Sequence, residues 1–251
     1  MAKTRPAEAG AAHAVHLMLQ GKGGVGKSTC AAFLTQYLRD KGRPVHGLDA
    51  DPMNHTLAAY KGLPVSSIDL MEDGEVNPKR FDAVMERLLG EDKDFVLDTG
   101  ASSFISLWNY VLTNQALELL RSSGRRVYVH TIIAGGGAQM ETLSNFKALA
   151  GTLADRELIV WINEHEAKVE KGGMKLWDMA AFKESAAKVA GTVLVERRNP
   201  QTFGADLRKM ISDRLTFAEA RNGSGYNIME KQRLGLVWKD LAAQLDALAL
   251  A

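Results

Sequence analysis

The chain has 251 residues, of which 46% are hydrophobic, and this is enough apolar material for a substantial core. Its 31 lysines and arginines stand against 30 aspartates and glutamates, and the net charge of +1 excludes a polybasic, histone-like protein. The single cysteine, Cys30, excludes an internal disulfide, a cysteine-based zinc site or an iron–sulfur cage built by one chain. We therefore expect a globular protein in a reducing, cytoplasmic setting.

Neither the first residues nor the uncharged run in the middle of the chain is predicted to target or span a membrane. Residues 1–13 are rich in alanine and carry charges of both signs, so they are expected to be a disordered lead-in rather than a signal peptide. The uncharged run 99–117 contains serine, asparagine, threonine and glutamine, which favours a helix within the protein over a membrane span. Residues 14–251 are expected to form a single domain.

From residue 14 onward, short apolar segments alternate with longer amphipathic ones. This alternation predicts βαβ units, and therefore an α/β fold with a mostly parallel, twisted sheet and helices on both faces. Strands are predicted over 15–19, 44–48, 94–97, 127–133, 157–162 and 192–195. Helices are predicted over 27–41, 78–89, 104–122, 138–150, 176–187, 204–211 and 228–248.

The last predicted helix carries an apolar stripe at helical spacing. Its polar face is close to neutral, because Lys239 is balanced by Asp240 and Asp246, whereas a helix that binds a membrane surface needs several lysines or arginines there. Packing against the core is therefore favoured over membrane contact. The stripe consists of Leu234, Val237, Trp238, Leu241, Leu245 and Leu248.

The most informative segment is G-K-G-G-V-G-K-S at 21–28, between an apolar strand and an amphipathic helix. It fits the phosphate-binding pattern G-x-x-x-x-G-K-[ST], in which glycines let backbone N–H groups point at phosphates beside a helix N-terminus. Lys27 is expected to neutralise the β- and γ-phosphates, and the Ser28 hydroxyl to ligate Mg²⁺. The nucleotide-binding residues predicted here are Gly21, Lys22, Gly23, Gly24, Val25, Gly26, Lys27, Ser28 and Thr29.

Acidic residues follow two further predicted strands. Asp98 ends the apolar strand in D-F-V-L-D-T-G-A-S-S-F, the Walker B pattern, and is predicted to hold Mg²⁺ through water. Asp49 and Asp51, in G-L-D-A-D-P-M-N, are two residues apart and so share one face of an extended segment, which Pro52 ends. The alternative for this pair is an ordinary acidic turn, because D-P is a common turn pair.

With Lys22 at its second position, the loop resembles the deviant Walker A motif of the ParA/MinD family of P-loop NTPases, the SIMIBI type. The resemblance implies a nucleotide-sandwich dimer in which Lys22 reaches the partner's phosphates, as an arginine finger does. The D-A-D-P segment resembles that family's switch I, which implies that Asp51 orients the attacking water and that Asp49 lies near Mg²⁺ or its waters. Thr99-Gly100-Ala101 stands where family members often have the D-x-P-P switch II, and this difference leaves its mechanism open.

The chain is also similar, from about residue 14 to about 225, to the TraL family of conjugative plasmid transfer. The segments that carry this similarity are L-Q-G-K-G-G-V-G-K-S, D-A-D-P-M-N, D-T-G-A-S-S-F, H-T-I-I-A-G-G and W-I-N. The resemblance implies a plasmid-associated setting and a protein partner in the transfer apparatus.

Two further positions fit a nucleotide pocket. Asn163 follows a predicted strand where ParA-like folds place an amide against the purine, although asparagine is also common at such ends. The glycines at 135–137 could admit a nucleotide or a partner subunit, but a plain turn is favoured. The histidines show no metal-ligand grouping, the serines at 102 and 103 lack a G-x-S-x-G elbow, and the late arginines and lysines are interleaved with acids.

The sequence thus predicts a Mg²⁺-ATP-binding switch with slow hydrolysis, which dimerises around nucleotide. Lys22, Lys27 and Asp51 are the expected catalytic residues, with Ser28, Asp49, Asp51 and Asp98 around the metal. ATP over GTP is implied by the resemblance, since no N-K-x-D motif is present. The alternatives are a partition-type ATPase that binds nonspecific DNA, which the near-zero charge disfavours, a kinase that uses the same loop, and a non-catalytic nucleotide-binding scaffold.

Overall fold

The computed structural model describes residues 12–250, so most of the predicted lead-in lies outside the described residues. Its strands are β1 Ala14–Met18, β2 Val45–Ala50, β3 Val65–Ser67, β4 Met71–Glu72, β5 Glu75–Val76, β6 Asp94–Thr99, β7 Arg126–Ala134, β8 Leu158–Asn163, β9 Glu170–Lys171, β10 Met174–Lys175 and β11 Val189–Val195. Its α-helices are α1 Lys27–Asp40, α2 Phe81–Gly90, α3 Phe104–Thr113, α4 Ala116–Ser122, α5 Gln139–Ala150, α6 Ala180–Glu184, α7 Phe203–Ser212, α8 Phe217–Asn222 and α9 Ile228–Ala247.

Seven strands form one sheet in the order β11-β8-β7-β1-β6-β2-β3, and every neighbouring pair is parallel. Helices α2 to α5 contribute apolar side chains to the core on one face, and α1, α7, α8 and α9 to the core on the other. The central strands are buried on both faces, as expected for a parallel sheet covered by helices. The predicted fold class is confirmed.

The parallel arrangement brings the carboxyl ends of β1, β2 and β6 to one edge of the sheet. Asp98 lies in register with Met18 on one side and with Asp49 on the other. The loops after these strands carry the glycine-rich segment, Asp51 and the Thr99-Gly100-Ala101 segment. Ligands of open parallel sheets bind at this edge.

The helix predicted over 104–122 is broken into α3 and α4, so the prediction of one continuous helix was wrong. Gln115 adopts the left-handed conformation with φ 50°, and the Asn114 side chain donates to the carbonyl of Tyr110 at 2.9 Å. Asparagine competes for backbone hydrogen bonds in this way and so favours helix ends. The break lets α4 pack separately against the sheet.

The helix predicted over 176–187 is also not continuous. It is divided into a 3₁₀ turn at Leu176–Asp178, the short α6 and a second 3₁₀ turn at Ala186–Lys188. The hairpin β9–β10 precedes it, and Gln139 on α5 holds that hairpin by donating to the carbonyl of Glu170 at 3.1 Å and accepting from its N–H at 3.2 Å. The segment between β8 and β11 therefore consists of short elements rather than one regular helix.

The apolar stripe of α9 packs into the core, as predicted. Leu234, Val237, Leu241 and Leu245 are all buried, and Trp238 stacks on Phe217 of α8 with ring centroids 5.0 Å apart. Within residues 12–250, the structure contains no helix that is both long and apolar enough to cross a bilayer.

A chain of buried polar side chains crosses three central strands. Trp161 Nε1 donates to His130 Nδ1 at 3.0 Å, and His130 Nε2 lies 2.9 Å from His16 Nδ1. Because His130 Nδ1 accepts, the network assigns its proton to Nε2, which donates to His16, and the His16 proton then lies on Nε2. His16 Nε2 has no hydrogen-bond partner among the described residues. Both histidines are therefore held neutral.

Candidate functional site

The glycine-rich loop begins three residues after β1 and ends in the first turn of α1. Gly26 is the N-cap of α1 and has φ 92°, a left-handed conformation that favours glycine. A Cβ atom there would lie 2.7 Å from Asn163 Nδ2. Glycine at this position therefore allows both the turn into the helix and the close approach of β8.

Lys27 and Asp98 form a buried ion pair at the centre of the site. The distance from Lys27 Nζ to Asp98 Oδ1 is 3.1 Å, and the side chains are 8% and 0% exposed. Burial raises the pKa of Asp98 above its ordinary value, whereas the neighbouring Lys27 lowers it. Asp98 Oδ2 is buried and has no partner in the part of the chain that the structure describes. This oxygen is positioned to accept from a further donor or to face a cation.

Asp51 and Asp49 organise the loop after β2 in different ways. Asp51 Oδ1 accepts from the N–H of Met53 at 3.0 Å, and its carboxylate borders the same cavity as Lys27. Asp49 is fully buried, and its two oxygens accept from the N–H groups of Asp51 at 3.1 Å and Ala58 at 2.8 Å. Asp49 thus lies beside Asp98 on the adjacent strand, with its carboxylate used to fold the loop that carries Asp51.

Two cavities adjoin the glycine-rich loop. The first, of about 440 Å³, is lined by Lys22, Gly23, Gly24, Gly26, Lys27, Ser28, Thr29, Asp51, Asn54, Thr56 and Ala101. The second, of about 570 Å³, shares Gly24, Gly26 and Thr29 with the first, and its wall includes Asn163, His165, Glu166, Arg208, Ile211 and Arg214. The loop therefore separates a polar cavity from a larger one of mixed character, an arrangement that suits a phosphate chain and a nucleoside.

Lys22 lies at the surface end of the loop. Its Nζ pairs with Glu141 Oε2 on α5 at 3.0 Å, and the two side chains are 41% and 53% exposed. Its backbone N–H donates to Gln20 Oε1 at 3.2 Å, and Gln20 is fully buried. The backbone is therefore anchored, while the charged side chain is close to solvent.

Asn163, at the end of β8, contacts the loop. Its Nδ2 donates to the carbonyl of Val25 at 3.0 Å, and its Oδ1 accepts from the N–H of His165 at 3.1 Å. It also borders the second cavity, so it is placed between the loop and the predicted nucleoside position.

Cys30, the only cysteine of the sequence, lies in the first turn of α1 and borders the second cavity. It is 1% exposed, and burial raises the pKa of its thiol. A buried thiol of this kind packs as a small apolar side chain and is a poor nucleophile.

Several residues of the two cavities had no motif in the sequence that could identify them. Thr56, Arg208 and Arg214 come from loops and from α7, and only the sheet topology brings them to the site. Asn54 and Ala101 were the exceptions, since they lie in the D-A-D-P-M-N and D-T-G-A-S-S-F segments that were already singled out.

Comparison with known proteins identifies the family of this chain. Residues 17–229 match the family described as the CobQ/CobB/MinD/ParA nucleotide binding domain. The chain belongs to this family. It is 38% identical to Protein TraL of Escherichia coli over 237 residues, which cover 94% of this chain and 98% of that protein, so it is also a member of the TraL group.

Solved structures of the CobQ/CobB/MinD/ParA family share the fold. The MinD cell division protein of Aquifex aeolicus aligns with a TM-score of 0.54 at 14% identity, over 93% of this chain and 97% of that one. A ParA family ATPase from Chlorobium tepidum TLS aligns with a TM-score of 0.51 at 12% identity, over 96% and 98% of the two chains. These two structures show the fold of the chain, and the family match shows that it is a nucleotide-binding domain.

The residues present fit a magnesium ion that is bound together with nucleotide. Within residues 12–250, no group of three or more His, Cys, Asp or Glu side chains converges to hold a metal alone. Mg²⁺ needs no such group, because it keeps several waters and takes phosphate oxygens as ligands beside one or two protein oxygens. Ser28 and the unpartnered Asp98 Oδ2 supply oxygens of that kind.

Proposed function

We propose that the chain is a Mg²⁺-ATP-binding switch that hydrolyses ATP slowly. The observation that carries this proposal is the buried Lys27–Asp98 pair at the mouth of the phosphate-binding loop, with Asp51 across the same cavity. A cation that touches the transferred phosphate, a carboxylate for the metal and a carboxylate for the water are the parts that phosphoryl transfer to water requires.

Each residue has a distinct role in this scheme. Lys27 stabilises the charge of the β- and γ-phosphates, and the loop N–H groups bind their oxygens. Ser28 and Asp98 hold Mg²⁺, directly and through water, and bound Mg²⁺ neutralises phosphate charge. Asp51 orients the attacking water, and Asp49 fixes the loop that presents Asp51. Asn163 lies where the nucleoside would be bound.

We propose further that nucleotide drives formation of a homodimer. Lys22 is half-exposed at the rim of the phosphate cavity, so its side chain is accessible to a second subunit. Its present partner, Glu141, is also half-exposed, and such surface pairs contribute only about 0–1 kcal/mol. A phosphate of the partner subunit is therefore a competitive acceptor for Lys22.

Titration calorimetry with ATP and Mg²⁺ tests the binding proposal. The wild-type chain is expected to bind, and Lys27→Ala is expected to bind at least about ten-fold more weakly, since a charge-assisted hydrogen bond contributes ~1.5–3 kcal/mol. Lys239→Ala removes the same charge from an exposed position on α9 and should bind as wild type does. A wild-type chain that binds no ATP in the presence of Mg²⁺ contradicts the proposal.

The setting that we propose is plasmid conjugative transfer, with a protein partner, on the basis of the similarity to TraL. Donor cells that carry Lys27→Ala in place of the wild-type chain should transfer the plasmid less efficiently, whereas Lys239→Ala donors should not differ. Equal transfer by all three strains would contradict this setting. An ATP-dependent, salt-sensitive gel shift with nonspecific DNA would instead favour a partition-type function.

A further inference from the structure

We infer that Gly100 and Ser103 are positioning residues for Asp51, and that D-T-G-A-S-S is a switch II segment fixed between two strands. This inference rests on the proposed hydrolysis, in which Asp51 orients water. It gives a role to Thr99-Gly100-Ala101, the segment that differs from the D-x-P-P pattern.

The segment is fastened to the strand on each side of β6. Thr99 Oγ1 donates to the carbonyl of Met18, the last residue of β1, at 3.0 Å. Ser103 Oγ lies 3.4 Å from the carbonyl of Ala50, the last residue of β2, and 3.2 Å from that of Gly100. Thr99 and Ser103 are both fully buried, so these bonds are protected from water. The turn is thereby tied to the backbone directly before Asp51.

Gly100 leaves the room that the Asp51 carboxylate occupies. A Cβ atom at position 100 would lie 2.7 Å from Asp51 Oδ1 and 3.0 Å from its Cγ, and 3.2 Å from Pro52 Cδ. The carboxylate cannot simply rotate away, because its oxygens accept from the N–H of Met53 and from the Asn54 amide. Pro52 is rigid as well. A side chain at position 100 must therefore displace the Asp51 carboxylate or the whole turn.

Ala101, in the same segment, lies on the side of the phosphate-binding loop. It borders the phosphate cavity, and a Cβ atom on Gly23 would lie 3.9 Å from the Ala101 methyl group. The segment after Asp98 thus lies against the Asp51 turn, and both border the same cavity as the phosphate-binding loop. A small displacement of Asp51 moves it relative to the bound phosphates, and a water misplaced by about 1 Å can lower a rate by about a hundred-fold.

The decisive experiment compares Gly100→Ala with Gly90→Ala, which adds the same methyl group where no atom apart from its chain neighbours and the backbone of its own helix lies within 4 Å. Single-turnover hydrolysis of Mg²⁺-ATP and the Kd for Mg²⁺-ATP are measured for both variants. Gly100→Ala is expected to hydrolyse ATP about ten- to a hundred-fold more slowly while its Kd stays within about three-fold of wild type. Gly90→Ala is expected to match wild type in both.

A second pair of variants tests the contact itself. Gly100→Ala should lower the midpoint of thermal unfolding by about 2–4 °C in the wild-type background, and by less in the Asp51→Ala background, where the crowded carboxylate is absent. Should Gly100→Ala fail to fold, Ser103→Ala adds no atoms and should slow hydrolysis with an unchanged Kd.

The outcomes separate this inference from the proposed function. A wild-type chain that neither binds nor hydrolyses ATP overturns both. An active wild type beside a Gly100→Ala or Ser103→Ala variant that folds and hydrolyses ATP at the wild-type rate overturns the positioning role alone. A parallel loss of rate and affinity also overturns it, since a general structural defect produces that pattern.

Discussion

At the scale of single residues, Lys27 and Asp98 stabilise the folded chain, in addition to the roles proposed for them in ligand binding. Both side chains are buried, and their charges are joined at 3.1 Å. Removing one partner of a buried pair leaves an uncompensated charge and costs about 3–5 kcal/mol, whereas neutralising both costs much less. We therefore expect Lys27→Met to lower the free energy of unfolding by ~3 kcal/mol without nucleotide, as measured by urea denaturation near pH 7.

The double variant Lys27→Met/Asp98→Asn is the control for this prediction, and it should recover most of the lost stability. The deficit of the single variant should also grow with pH. Burial raises the pKa of Asp98 and Lys27 lowers it, so removal of Lys27 raises that pKa further. The variant then loses stability relative to wild type as the pH rises toward the raised pKa. A Lys27→Met protein as stable as wild type would show that the pair contributes nothing to folding.

The glycine-rich loop could be predicted as a site from the sequence because the phosphate-binding pattern fixes residue types at fixed spacings, and the structure places most of these residues around one cavity. It could not identify how Asp49 is used, since a carboxylate near magnesium and one that accepts two backbone N–H groups look alike in sequence. The partners of Lys22 and Asn163 were equally hidden, because Glu141 and Val25 meet them only through the sheet order.

At the scale of elements, α9 offers a direct measure of how much its apolar stripe contributes. Leu234 is fully buried, whereas Leu236 on the same helix is 44% exposed. Leu234→Ala should cost about 2–5 kcal/mol of unfolding free energy, because it removes buried methyl groups and leaves a cavity. Leu236→Ala makes the same chemical change at the surface and should cost less than about 1 kcal/mol in the same denaturation experiment. Equal losses would contradict the packing of α9.

Elements whose apolar residues recur at a clear period were predicted well, and elements without such a period were not. α1 ends within one residue of its predicted end, because a motif begins it and an amphipathic pattern continues through it. The hairpins β4–β5 and β9–β10 were missed, since strands of only two residues are too short to show an alternation of apolar and polar residues. The break between α3 and α4 depends on the left-handed backbone conformation of Gln115, and glutamine is not a residue type that predicts this conformation.

At the scale of the whole molecule, the two edges of the sheet serve different purposes. The carboxyl ends of the strands carry the proposed nucleotide site. At the amino ends, Asp94 accepts from Arg43 Nε at 2.7 Å and from the Ala14 N–H at 2.7 Å. Burial opposes ionisation of Asp94, but the bonds from Arg43 and Ala14 hold its pKa below the ordinary value. Asp94 therefore contributes stability that is lost as the pH falls below the ordinary aspartate range.

The buried histidines of the central strands make stability depend on pH in a different window. Burial lowers the pKa of His16 from 6.5 to about 4, and it lowers the pKa of His130 well below its ordinary value. Below pH 6.5 the unfolded chain binds protons that the folded chain does not, so stability falls as the pH drops from 6.5 toward 4. For His16 alone the loss amounts to about 3 kcal/mol at the acid end of this window.

We therefore expect the urea midpoint of the nucleotide-free chain to change little between pH 7.5 and 6.5 and to fall between pH 6.5 and 4.5. His16→Gln should be less stable than wild type at pH 7.5, because the imidazole of His130 loses its partner, yet it should lose less stability over the same pH range. His55→Gln is the control, since His55 is exposed and should keep the wild-type pH dependence. A wild-type midpoint that is constant across this range would mean that the buried imidazoles accept protons in the folded state. The two histidines would then lack the neutral, hydrogen-bonded arrangement that joins β1, β7 and β8.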